Sequence, residues 1–83
     1  MYAKLYETEV GQVLVKLDAS PDEVKPEVRF FFEPSGLGVC SIAILFSDDD
    51  EGWDKAEKLF NTTDEISATR IVVEAINQVA KVV

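Results

Sequence analysis

VCSIAILFSDDDEGWDKAEKLF, residues Val39–Phe60, changes its hydrophobic period midway, and that change sets the fold. Over Val39–Phe46 the chain reads as a strand that is apolar on both faces. Cys40, Ile42, Ile44 and Phe46 alternate with Val39, Ser41, Ala43 and Leu45. From Asp48 onward the repeat lengthens to about 3.6 residues, with Trp53, Ala56, Leu59 and Phe60 on one side of a helix of about three turns. Ser47 or Asp48 stands where an N-cap accepts the free backbone N–H groups of a first turn. Asp50, Glu51 and Asp54 stand where carboxylates favour the helix dipole.

Upstream, the two-residue period persists. Val13, Val15 and Leu17 alternate with Gln12, Lys16 and Asp18, Leu14 being the exception, as in a half-buried strand. Residues 2–8 form its hairpin partner across a turn at Glu9–Gly11, and Lys4, Glu7 and Glu9 suit that first strand to a sheet edge. Ser20 with Glu23, and Pro21 between them, reads as a capping box, while Pro26 limits it to one helical turn. EVRFFFE, residues 27–33, is a third strand, with Val28, Phe30 and Phe32 opposed to Arg29, Phe31 and Glu33. PSGLG, residues 34–38, turns the chain into the fourth.

Downstream, NTT at 61–63 interrupts the first helix, and Thr62 with Glu65 reads as a second capping box. The segment that follows carries a stripe of Ala68, Ile71, Val72, Ala75, Ile76, Val79 and Val83. Arg70, Glu74, Asn77, Gln78 and Lys81 oppose it. There is no internal repeat or linker. The order predicts one α+β domain over residues 1–83, ββββαα, with a four-stranded, mainly antiparallel sheet and two C-terminal helices packed on one face. A simple 1-2-3-4 order leaves the most apolar strand at an edge, so the order differs, or the edge is covered, or it pairs with a second subunit.

The chemistry of function is mostly excluded. An EF-hand framed on Gly52 places Ser47 at its first position and Lys58 where the bidentate glutamate belongs. Adjacent side chains of Asp48, Asp49 and Asp50 diverge, so a loose magnesium or calcium site on them needs ligands from elsewhere in the chain, no metal ligand is assigned, and no cofactor motif is present. GLGVCS, residues 36–41, leads into a strand, whereas a phosphate loop opens a helix. The chain has no histidine, so neither Cys40 nor Ser41 has the base a nucleophile needs, and Cys40 alternates with core residues as a buried structural thiol. RFFF, residues 29–32, lacks the glycine spacing and basic surroundings of an RNA-binding sheet. The expectation is a chain that is not an enzyme.

Sixteen carboxylates against eight Lys and Arg give a net charge of −8, which opposes nucleic acid and anionic membrane surfaces. The single cysteine and a start without a basic-then-apolar leader point to the cytoplasm. Two helices on one sheet face would leave Leu14, Phe31, Val39, Ala43 and Leu45 on the other, a candidate apolar interface. The expected function is a protein–protein interaction module or homo-oligomer subunit. The alternative is a small acidic inhibitor or nucleic-acid mimic presenting Asp48, Asp49, Asp50, Glu51, Asp54 and Glu57 to a basic partner.

Overall fold

The computed structural model describes residues 2–20, 25–34 and 38–82, with side chains through residue 78. The strands are β1 (Tyr2–Thr8), β2 (Gly11–Ala19), β3 (Pro26–Phe32) and β4 (Cys40–Leu45), and the helices are α1 (Asp50–Thr62) and α2 (Glu65–Val82). The sheet is antiparallel throughout, in the order β1-β2-β3-β4, so the ββββαα arrangement read from the sequence is the fold. Three of the predicted details lie outside the described residues: the Ser20–Glu23 capping box, the centre of the 34–38 turn, and the side chains of Val79 and Val83.

The hairpin turn falls at Glu9 and Val10, and Gly11 follows with φ +98°, a backbone conformation that side chains disfavour. Its register sets Leu5 opposite Leu14 and Lys4 opposite Val15. The next ladders set Leu14 opposite Phe31 and Phe31 opposite Ser41. Pro26 opens β3 at its first residue, where the ladder to β4 gives up a single donor. Its carbonyl accepts the Phe46 N–H at 2.9 Å, and it has no N–H to return.

One face of the sheet carries the core. Val13, Val15, Leu17, Val28, Phe30 and Phe32 are buried against Ala56 and Phe60 of α1 and Ala68 and Val72 of α2. α1 lies over β2 and β3, and α2 over β1, β2 and β3. Burying a large apolar side chain contributes about 1.5–3 kcal/mol, so this single layer supplies most of the hydrophobic stabilisation.

Three sequence readings need correction. The N-cap of α1 is Asp49, not Ser47 or Asp48: its Oδ1 accepts the Gly52 N–H at 2.7 Å, and the Ser47 hydroxyl donates to the same oxygen at 2.8 Å. The capping box of α2 is Asp64 with Ser67, not Thr62 with Glu65. The Ser67 N–H donates to Asp64 Oδ1 at 2.8 Å, and the Asp64 N–H donates to Ser67 Oγ at 3.0 Å. Thr62 instead closes α1, its hydroxyl donating back to the Lys58 carbonyl at 2.8 Å. Cys40 is half-buried, since both helices sit chiefly over the other three strands.

α1 has no basic residue in its last turn, and β1 supplies the cation. Lys4 Nζ donates to the Phe60 carbonyl at 2.8 Å and lies 4.6 Å from the Phe60 ring centroid. The Tyr6 hydroxyl donates to the Thr63 carbonyl at 2.9 Å. The edge strand thereby holds the corner between the two helices.

Candidate functional site

Because both helices occupy the face of Val15 and Phe30, the opposite face belongs to the alternate residues of each strand. Three cross-strand rows order it. Leu5, Leu14, Phe31 and Ser41 form one, Ala3, Lys16, Arg29 and Ala43 the next, and Asp18, Glu27 and Leu45 the third. The first row is apolar for three strands and continues to Val39, with a depression of about 430 Å³ lined by Leu5, Gln12, Leu14, Phe31 and Val39. Leu14, Phe31 and Ala43 are half-buried by their neighbours, whereas Leu5 is 59%, Leu45 52% and Val39 72% exposed.

The centre of this face is polar but internally paired. Arg29 Nε donates to Glu27 Oε1, and Arg29 Nη1 donates to Ser41 Oγ at 2.8 Å. The hydrogen bond to Glu27, with the Glu27 charge, raises the Arg29 pKa above its ordinary value. Glu27 is a buried carboxylate on an otherwise open face, and Arg29 is its partner.

The structure therefore brings Leu14, Phe31, Ala43 and Leu45 to one face, with Val39 at its corner. It adds Leu5, which the sequence reading missed. The signal was present: a turn at Glu9 and Val10 counts back from Leu14 to Leu5 as its cross-strand partner.

The edge of β4 borders this face. The Phe46 N–H to Pro26 bond and the Ser20 N–H to Lys25 bond (2.7 Å) fix the alternation of the ladders. Cys40, Ile42 and Ile44 turn their backbone groups toward β3, so Ser41, Ala43 and Leu45 turn theirs outward from the sheet. Among the described residues no strand pairs with them. On the helix side, a mostly apolar groove of about 300 Å³ runs between β4 and α2. Phe32, Cys40, Ile42, Ala75 and Ile76 line it.

The acidic candidates lie elsewhere. Asp50, Glu51, Asp54 and Glu57 are exposed on α1, across the sheet from the open face, and Asp48 and Asp49 precede them in the loop. Asp49 is engaged as the cap, and the Gly52 N–H, followed by the Ser47 hydroxyl, holds its carboxyl below the ordinary value. Glu51 pairs with Lys55 at 3.2 Å. Among the described residues no group of three or more His, Cys, Asp or Glu is placed to share a metal ion, and no helix is long and apolar enough to cross a membrane. No family model, curated protein or solved structure matches the chain.

Proposed function

We propose that this chain is a non-enzymatic protein–protein interaction module of the cytoplasm that assembles as a homo-oligomer, most simply a dimer. One observation carries the reading: among the described residues the sheet is covered on one face only, and the bare face ends at an apolar strand with no strand paired to its outer edge. Contiguous apolar side chains at such a position characterise contact surfaces. The described residues offer no histidine, no shared-metal cluster and no nucleophile–base pair, and the net charge of −8 favours protein over nucleic acid or membrane as the partner.

The acidic surface is the weaker alternative. Asp49 is engaged locally, and Asp50 and Glu51 lie in the first turn of α1, where the helix itself accounts for their charge. Sedimentation equilibrium of the purified chain at micromolar concentration tests self-association, with a mass above that of one chain as the expected result. A strict monomer at the highest attainable concentration refutes it.

A further inference from the structure

The geometry points to a specific assembly: two copies joined edge to edge through β4 across a two-fold axis, making one continuous eight-stranded antiparallel sheet. This rests on the self-association reading and names its surface and its partner, a second copy of the chain. The outward backbone groups belong to Ser41, Ala43 and Leu45, three positions symmetric about Ala43. A two-fold axis beside Ala43 sets it opposite its own copy and sets Ser41 opposite Leu45 of the partner subunit. Every outward N–H and C=O of the three residues then finds a partner.

The side chains suit this register. Ile42 falls opposite Ile44 of the partner subunit as a non-hydrogen-bonded pair, the closer of the two cross-strand spacings. Ile42, now 36% exposed at the mouth of the β4–α2 groove, is covered by that contact, and Leu45 gains a cross-strand neighbour on the open face. No charged residue or proline guards the edge from Val39 to Ser47, whereas the opposite edge carries Glu7 among its outward positions. Electrostatics permits the pairing despite the net charge. β4 ends at Leu45 and Asp48 lies beyond it, so an antiparallel ribbon puts the two acidic segments past opposite ends of the paired strands, and charges separated by more than a screening length of about 8 Å interact weakly.

Ala43→Pro isolates the edge. The Ala43 N–H points away from β3, so proline removes a donor to the second copy and leaves the internal ladder whole. Sedimentation equilibrium of wild type is expected to give twice the chain mass. A43P is expected to raise the dissociation constant about thirtyfold through the two central donors it removes. Concentration-dependent hydrogen exchange on wild type gives a readout independent of how the variant folds, with the amides of Ser41, Ala43 and Leu45 becoming protected as dimer forms. A dimer whose three amides exchange freely, or that A43P leaves intact, overturns the edge assignment but keeps self-association. Loss of that dimer in Leu14→Glu or Phe31→Glu then assigns it to the open face. A monomeric wild type overturns both readings together.

Discussion

Replacing Gly52 by alanine opposes two effects of known size. Within a helix the change ordinarily stabilises by about 0.8–1.0 kcal/mol, because alanine loses less backbone freedom on folding. Gly52 is the third residue of α1 and is buried under the cap loop. A Cβ placed there would lie 1.8 Å from the Ser47 carbonyl oxygen and 2.7 Å from its carbon. Those are backbone atoms, and no rotamer change relieves the contact. Ser47 must move by more than an ångström, yet it is tied to the cap. Its carbonyl accepts the Asp49 N–H at 3.0 Å, and its hydroxyl donates to the Asp49 carboxylate.

Overpacking of this kind costs about 1–3 kcal/mol, and losing the Ser47–Asp49 bonds adds about 1 kcal/mol. Against the propensity gain, the net destabilisation expected for G52A is about 2 kcal/mol. In a domain of this size that lowers Tm by about 8–16 °C, read by thermal circular dichroism. Glu51→Ala, at the exposed neighbouring position, is the control and should move Tm by no more than a few degrees. If G52A melts at or above wild type, the close approach of Ser47 is not a constraint and the reasoning fails.

Three further outcomes follow from the same contacts. Phe30→Ala, at the fully buried centre of the sheet, should cost about 3–5 kcal/mol in urea unfolding, out of a total of about 4–12 kcal/mol for a chain this long. Tyr6→Phe removes the donor to the Thr63 carbonyl and should cost about 0.5–1.5 kcal/mol with the sedimentation mass the same as that of wild type, since Tyr6 faces the helices. The carboxyls of Asp49 and Asp64 are held below their ordinary value of 3.8, chiefly by the Gly52 and Ser67 backbone N–H groups respectively. Their contribution is therefore whole above pH 3.8 and is lost as pH falls through the lower folded-state values. Tm measured from pH 5 to about pH 2 should fall less steeply in the double variant Asp49→Asn, Asp64→Asn, because asparagine caps a helix without titrating.

The sheet was legible because burial on one face writes itself into alternate residues. Val13, Val15 and Leu17, then Val28, Phe30 and Phe32, are the core in the places their spacing gave. The helix stripes were legible for the same reason, through Ala56, Phe60, Ala68 and Val72. The caps were displaced because Ser-Asp-Asp-Asp offers four adjacent groups of nearly equal capping strength, and only the path of the loop selects Asp49. Gly52 carried no signal, since its close approach to Ser47 is a contact and not a period. Nor did Glu27, a buried carboxylate whose pairing with Arg29, two residues along the same strand, is likewise a contact and not a period. The candidate surface was half legible. The face of Leu14, Phe31, Ala43 and Leu45 follows from alternation, but the β4 edge became definite only with the strand order.

That order makes the exposure of β4 informative. The helix stripes are used on β1, β2 and β3, so the core closes without Val39, Ile42 or Leu45. Away from the row of Leu5, Leu14 and Phe31, the open face carries polar residues where the core makes no demand, at Glu7, Gln12 and Lys16. Charge at 39, 42 or 45 would add solubility and guard the edge at little expense to packing. Those positions instead carry valine, isoleucine and leucine, all exposed in the single chain. The fold of the described residues gives no reason for that choice, and the proposed contact with a second copy supplies one.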